Sequence, residues 1–466
     1  MHVHHQNTAT QHVISPSEGG RRGLLVILGG GESGVGAAML GKQQGYEVFL
    51  SDAGFISEKY KWELSEHKIE FEEGGHTGDK IFAADEIVKS PGIPDKNEMV
   101  KAIRAKNIPV ISEIELAYRF KGDAKIIAIT GSNGKSTTTS LIYHICKTAG
   151  LDCALVGNIG YSFAKQIAED PKPLYVAEIS SFQLDDIKDF RADVSVLLNI
   201  TEDHLDRYDY KFENYINSKF RIIQNATSND YFIYNADDEV ITNKLQEITL
   251  HTNTLPFSMK HEPTNGGYIH GKNMILHIND ERVEWSVYDF ALKGKHNQYN
   301  TMASCITGMV MDIRKEKIRE AVTGFQSLEH RMEYVATVRG VEFVNDSKAT
   351  NVNSTWYALE SMEKPVVLIL GGLDKGNDYS LIEDLVKEKV KAIVCLGVDN
   401  SKIHKAFDGI VSPIVDTASA AEAVQQSFRL ASKGDVVLLS PACASFDLFS
   451  NYEDRGRQFK NAVKDL

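Results

Sequence analysis

Three α/β units in series are what this sequence predicts: a Rossmann-like unit, a phosphate-loop unit with a β insertion, and a second Rossmann-like unit. Three observations carry that expectation. Short apolar runs recur with glycine-rich or Ser/Asp-rich turns at their carboxyl ends and helical stretches between them, the alternation of a doubly wound sheet. The length, 466 residues, suits about three domains. One segment, Ile126 to Thr139, joins an apolar strand to a glycine loop and a Thr-rich helix start, which is the layout of a phosphate cradle.

The first 23 residues are polar and lack the apolar centre of a signal sequence. Their His2, His4, His5 and His12 could hold a stray metal, but a disordered tail accounts for them. The first unit is expected over residues 24–115. Its run Leu24–Leu28 leads into Gly29, Gly31 and Gly34 in GxGxxG spacing, and Val48–Leu50 ends at Asp52, an acidic residue placed for a ribose hydroxyl. Ile87–Lys89 runs into Ser90-Pro91-Gly92-Ile93-Pro94, a second turn at a strand's carboxyl end.

The central unit is expected over residues 116–327. Gly131, Ser132, Asn133, Gly134, Lys135, Ser136 and Thr137 form its loop. Exposed backbone N–H groups and the helix N-terminus attract phosphates, Lys135 neutralises their oxygens, and the Ser136 or Thr137 hydroxyl can take a place on Mg²⁺. Position 129 is Ile where the longer Walker loop carries glycine, so this is a shorter form. Glu178 ends the apolar run YVAE, a suitable position for a metal-binding carboxylate. The run from Leu197 closes in Asn199, Thr201, Glu202, Asp203, His204, Asp206 and Arg207, where His204 is a candidate ligand. Pattern alone puts Lys219 on a solvated helix face. From about Leu250 to Tyr288 the texture becomes short and alternating, which reads as an antiparallel excursion.

The third unit is expected over residues 328–466. Its strands Val341–Val344, Val366–Leu370, Ala392–Leu396 and Val436–Leu439 end in turns bearing Asp346, Lys348 and Thr350, then Gly371, Gly372, Asp374 and Lys375, then Ser440 to Ser445. Such strand ends are where open α/β sheets collect ligands. His330 and Arg331 lie just upstream and suit a phosphate.

Composition narrows the function. A formal charge of −13 argues against a nucleic-acid surface, which needs clustered Lys and Arg. No apolar run reaches the roughly 20 residues of a membrane span. Five scattered cysteines without a CxxC pair fit a reduced, cytoplasmic protein. No GxSxG or HExxH occurs, and Cys443 has no histidine near it in sequence, so covalent catalysis by a protein nucleophile is not expected.

Several segments together resemble the Mur ligases. TGSNGKS at 130–136 is shared widely; VGNIG at 156–160, EISSFQL at 178–184, TEDHLDR at 201–207, NDSKATN at 345–351 and SPACASFD at 440–447 narrow the likeness. The resemblance runs from about Leu24 to the C-terminus. It implies an ATP-dependent, amide-forming ligase that adds D-glutamate to UDP-N-acetylmuramoyl-L-alanine through an acyl phosphate, in peptidoglycan precursor synthesis. It further implies Mg²⁺, two ions, held by Ser136, Glu178, His204 and Lys219, the last as a carbamate. By the same likeness Asn297, Asn300, Arg331 and Asp346 meet the ATP base and ribose, and Glu32, Ser33, Asp52, Ser90, Gly92 and Asn158 meet the uridine substrate. Lys348, Thr350, Lys375, Ser445 and Tyr452 would meet D-glutamate. Its partners would be small molecules only, and the chain a monomer.

Two other readings remain at this point. An NAD-dependent oxidoreductase would use Gly29 to Gly34 and Asp52 but leaves the phosphate loop and the third unit without a purpose. A non-catalytic nucleotide-binding regulator would not need the metal and acceptor positions.

Overall fold

The computed structural model describes residues 22–325, 329–362, 364–374 and 376–466. The chain divides into two compact units, the first running to Glu284 and including Met302–Ile318, the second comprising Trp285–Thr301 and Arg319–Leu466.

The first unit carries two sheets. Strands β1 (Arg22–Leu28), β2 (Tyr46–Ser51), β3 (Glu70–Glu72), β4 (Glu86–Lys89) and β5 (Val110–Ile111) form a five-stranded sheet in the order β3-β2-β1-β4-β5. All its pairings are parallel. The order reverses between β1 and β4, so the crevice at their carboxyl ends is the ligand position of an open sheet. Gly34 shows why the glycines are needed there. A Cβ on it would lie 1.9 Å from the Gly29 carbonyl oxygen, so only glycine lets the helix Glu32–Gln43 start this close to the turn.

The second sheet has nine strands: β6 (Lys125–Thr130), β7 (Cys153–Gly157), β8 (Leu174–Glu178), β9 (Val194–Leu197), β10 (Tyr231–Asn235), β11 (Asn253–Ser258), β12 (Gly266–His270), β13 (Asn273–Ile278) and β14 (Glu281–Ser286). Their order is β14-β13-β12-β11-β10-β9-β6-β8-β7, which puts the phosphate-loop strand β6 inside the sheet, flanked by β9 and β8. The stretch expected as an antiparallel excursion continues this sheet. β11 and β12 pair in parallel, and the antiparallel direction begins at β12–β13. Alternation marks one-sided burial in either direction, so it could not reveal the pairing.

Both sheets of this unit share one apolar core. Leu25, Val35 and Leu116 from the first pack in the same cluster as Ile126, Val156 and Phe163 from the second. Polar groups lock the same seam. Lys165 Nζ lies 2.8 Å from Glu63, Lys89 lies 3.0 Å from Asp186, and Arg104 lies 2.7 Å from Asp186. Glu113 caps the helix Phe163–Glu169 by accepting from Ser162 Oγ at 2.7 Å and the Ala164 N–H at 2.5 Å. The boundary expected after residue 115 falls inside the helix Glu113–Phe120. Similarly, β1 starts at Arg22, so Arg22 and Gly23 belong to the strand and not to the tail. Residues 1–21 and the boundary expected at 327 lie outside the described residues.

Burial pushes the Glu113 carboxyl up from 4.5 to about 7. A folded-state pKa above the unfolded one gives stability that is complete below about pH 4.5 and lost as pH rises through 7. Glu113→Gln is expected to remove that loss. Its first melting transition should match the parent's at pH 4.5 and exceed it by roughly 2 °C or more at pH 8, read by calorimetry.

The second unit holds a six-stranded sheet of β15 (Glu333–Val338), β16 (Val341–Asn345), β17 (Val366–Leu370), β18 (Val390–Leu396), β19 (Ile414–Thr417) and β20 (Val436–Leu439). Its order is β15-β16-β20-β17-β18-β19, with only β15 antiparallel. Apolar clusters cover both faces, as a doubly wound sheet requires. The helix Lys295–Val310 contributes residues to both units.

Candidate active site

The phosphate loop is fastened by hydrogen bonds from elsewhere in the chain. Gly134 adopts φ +83° as the N-cap of the helix Lys135–Thr148, a left-handed conformation that glycine takes at no steric cost. The Ser132 N–H donates to the Asn199 carbonyl at 2.9 Å, and Ser132 Oγ donates to the Thr201 carbonyl at 2.9 Å. Asn199 grips the next residue from both sides. Its Oδ1 accepts from the Asn133 N–H at 2.8 Å, and its Nδ2 donates to the Asn133 carbonyl at 3.0 Å. The Tyr215 hydroxyl lies 3.1 Å from Ser132 Oγ. Lys135 Nζ donates to the Gly131 and Ser132 carbonyls at 2.7 and 2.8 Å, so the ammonium lies over the cradle it would serve.

Three polar residues gather around this loop and its Lys135. Glu178, 1% exposed at the end of β8, accepts from Asn158 Nδ2 at 2.8 Å. The approach depends on Gly157, whose φ is +100° and whose added Cβ would meet the Glu178 carbonyl oxygen at 2.3 Å. Lys219 is 1% exposed, with its ammonium 4.7 Å from the Tyr215 ring centroid. That corrects the solvated helix face expected from pattern alone. Burial holds the Lys219 pKa well below its usual value, Lys135 lowers it further, and Asp203, Asp185 and Glu178 oppose. His204 sits at φ +53° with its ring edge-on to Phe182 at 5.0 Å. Burial lowers its pKa too, with Lys135 and Lys219 adding to the effect and Asp203 opposing. Lys219 therefore lies within electrostatic reach of Lys135, Glu178 and His204, and His204 within reach of Lys135.

A hydrogen-bond chain sets the spacing of two of them. Tyr208 donates to Asp185 at 2.9 Å, its hydroxyl oxygen lies 3.2 Å from Ser218 Oγ, and Ser218 Oγ donates to the Ser181 carbonyl at 3.0 Å. It ties the helix bearing Lys219 to the turn that follows Glu178.

On the first sheet, Asp52 Oδ2 accepts from the Gly30 N–H at 2.5 Å and Oδ1 from the Gly54 N–H at 2.7 Å. Glu32 accepts from the Tyr60 hydroxyl at 3.0 Å. Ser90 and Gly92 follow β4, and Arg207 of the second sheet donates to the Pro91 and Ile93 carbonyls at 3.1 and 3.3 Å. Glu32, Ser33, Asp52, Ser90 and Gly92 thus line the carboxyl edge of one sheet. Asn158 is on the other sheet, at Glu178.

In the second unit, Asp346 accepts from Ser440 Oγ at 2.9 Å and from the Met332 N–H at 3.2 Å. Its carboxyl is pushed up to about 7 by burial, against the opposing charge of Arg331. Asn300 Nδ2 donates to Asn297 Oδ1 at 3.2 Å. Lys348 Nζ lies 5.3 Å from the Tyr452 ring centroid. Ser445 is buried and Thr350 exposed. Lys375 lies outside the described residues. Arg455, fully buried, donates to the Ser347 and Cys443 carbonyls at 2.8 and 3.2 Å and so braces the turns carrying Lys348 and Ser445.

Three family models match the chain. The family model described as Mur ligase middle domain matches residues 129–308, that of the Mur ligase glutamate ligase domain matches 330–443, and a MurD N-terminal domain matches 25–99. The UDP-N-acetylmuramoylalanine--D-glutamate ligase of Christiangramia forsetii is 54% identical over 95% of this chain and 99% of its own. The Porphyromonas gingivalis protein of the same name is 53% identical over 95% and 98%. The chain belongs to the Mur ligase family. Mur ligases are ATP-dependent amide ligases of peptidoglycan precursor synthesis. The crystal structure of UDP-N-acetylmuramate-alanine ligase from Thermotoga maritima shares the fold of this Mur ligase, with a TM-score of 0.61 at 16% identity over 95% of this chain and 99% of that one.

Sequence reasoning missed the residues that hold this Mur ligase's loop in place. Asn199 and Thr201 were visible in a polar cluster, but nothing local tied them to a loop 66 residues away. Tyr215 carried a usable signal, since it precedes Lys219 by one helical turn and so shares its face. Asn199→Ala is expected to raise the KM for ATP about tenfold, because two hydrogen bonds to Asn133 at roughly 0.5–1.5 kcal/mol each are lost. Melting should fall by only a few degrees, so the variant stays folded at assay temperature, and an unchanged KM would show that the loop holds itself.

Proposed function

We propose that this Mur ligase joins D-glutamate to UDP-N-acetylmuramoyl-L-alanine, forming ADP. The carrying observation is the convergence of Lys135, Glu178, His204 and Lys219 on one phosphate loop, together with relatives of that name matched over nearly their whole length. The substrate carboxylate attacks the γ-phosphate of ATP to give an acyl phosphate and ADP. The D-glutamate amine then attacks the acyl carbon, phosphate leaves, and the amine proton is lost to solvent. Such chemistry asks for positioning and charge neutralisation, with no protein nucleophile.

The donor set around the loop suits a hard cation: the Ser136 hydroxyl, the buried Glu178 carboxylate and His204, with Lys219 adding two oxygens once carbamylated. These residues would hold two Mg²⁺ ions, which neutralise phosphoryl charge. The loop amides from Gly131 to Thr137 and Lys135 bind the phosphates. Asn297, Asn300, Arg331 and Asp346 take the base and ribose of ATP, and Glu32, Ser33, Asp52, Ser90, Gly92 and Asn158 take the uridine substrate. Lys348, Thr350, Lys375, Ser445 and Tyr452 take the D-glutamate carboxylates. The protein acts as a cytoplasmic monomer of three domains. Among the described residues no helix is long and apolar enough to cross a membrane, and the five cysteines are free.

The deciding test is ADP formation with UDP-N-acetylmuramoyl-L-alanine and, in turn, D-glutamate, L-glutamate, L-alanine and meso-diaminopimelate. Only D-glutamate is expected to support turnover. ADP release without either substrate, or equal rates with another amino acid, would sink the assignment.

A further inference from the structure

A second cluster of ligating groups lies at the edge of the six-stranded sheet, with no part in the reaction above. Cys395 is near the end of β18, Asp416 sits opposite it in the β18–β19 register, and His404 comes from the helix Ser401–Phe407. One ligand atom from each lies within 4.8 Å of the other two. His404 Nε2 is 3.1 Å from both carboxylate oxygens of Asp416. Asn400 Nδ2 donates to Asp416 Oδ1 at 3.0 Å, and Thr417 Oγ1 fixes the Cys395 carbonyl at 2.7 Å. His404, Asp416 and Asn400 line a solvent-open cavity of about 520 Å³, while the Cys395 side chain is fully buried behind them.

Two simpler readings fit less well. A nucleophilic thiol is at least partly open to its substrate, whereas the Cys395 side chain is fully buried. An ion pair accounts for His404 and Asp416 but not for a thiol brought to the same carboxylate.

We propose that Cys395 Sγ, His404 Nε2 and the Asp416 carboxylate form a binding site for a thiophilic divalent cation of the zinc class, with its fourth position open to the cavity. The thiolate in this sulfur, nitrogen and oxygen set selects such an ion over Mg²⁺, a hard cation with little affinity for sulfur. Bonds of about 2.0–2.3 Å in a tetrahedron put ligand atoms about 3.3–3.8 Å apart, so the cluster would contract by about 1 Å. Asn400 acts as the outer partner that orients the carboxylate. Binding expels the thiol proton to solvent, so affinity rises with pH. The ion would pin β18, β19 and the helix Ser401–Phe407 together.

Cobalt(II) titration of the full chain tests this, because a thiolate-to-cobalt charge-transfer band cannot arise from the N-terminal histidines or from a magnesium site that holds no thiol. A band that saturates at one equivalent and is displaced by zinc is expected. It should vanish in Cys395→Ser and need about tenfold or more cobalt in His404→Gln. No band at saturating cobalt, or a band that survives Cys395→Ser, overturns the proposal. Should Cys395→Ser fail to fold, an unchanged cobalt affinity in the half-exposed His404→Gln variant overturns it equally.

Discussion

Replacing Lys135 with alanine is expected to cut turnover by about a thousandfold or more, the scale of losing a preorganised charge at the transferring phosphoryl group, while binding of UDP-N-acetylmuramoyl-L-alanine persists. The asymmetry follows from where the groups sit. The Lys135 ammonium donates to two loop carbonyls at 2.7 and 2.8 Å, and a triphosphate in the cradle would offer it stronger, charged acceptors. The loop N–H groups and the helix N-terminus remain in the variant, so ATP still binds, although less tightly. The residues proposed for the uridine substrate lie mostly on the other sheet, where Asp52 is fixed by the Gly30 and Gly54 N–H groups and does not depend on Lys135. ADP formation measures the first effect and calorimetric titration with the uridine substrate the second. A variant within tenfold of the parent rate would remove Lys135 from the mechanism. Loss of uridine binding would mean that the substitution had disturbed more than the cradle.

How far the sequence disclosed all this depends on the range of the interactions involved. The phosphate loop was legible because strand, glycine turn and helix start are contiguous from Ile126 to Thr139. The same holds for the first turn, where Gly34 must lack a Cβ to clear Gly29. Glu178 was legible as the polar end of an apolar strand. Lys219 was not, because a lysine on a helix is ordinarily solvated; its burial comes from packing against Tyr215 and from the Tyr208–Ser218–Ser181 chain. Asn158 could be placed beside a glycine turn, but its bond to Glu178 joins two strands, β7 and β8, whose adjacency only the sheet order reveals. The direction of β11 and β12 was hidden for the same reason. Boundaries were hidden where a single core spans two sheets, as at the helix Glu113–Phe120.

Lys219→Ala is expected to be nearly as inactive as the Lys135 variant, and to regain part of its turnover with formate, acetate or propionate. A buried ammonium beside Lys135 is disfavoured twice, by lost hydration and by like charge, which shifts the balance toward the neutral amine. That is the form that attacks carbon dioxide: an N–C bond forms, one amine proton leaves to solvent, and a carbamate with two oxygens results. Its negative charge is then opposite in sign to Lys135 and suited to a hard cation, whereas Glu178, Asp185 and Asp203 would repel it if no cation were near. Truncation to alanine leaves a space about the size of the lost side chain, so a small carboxylate can supply the missing oxygens in place. Rescue should rise with carboxylate concentration and fall as the acid grows longer. A folded variant that no carboxylate rescues would count against the carbamate. A second readout separates chemistry from packing: with ¹³C-labelled bicarbonate the parent should show a carbamate carbon resonance that Lys219→Ala lacks. Lys135→Ala bears on it too, since removing that ammonium relieves the repulsion that favours the neutral Lys219 and also removes the carbamate's counter-charge, so its carbamate signal should weaken.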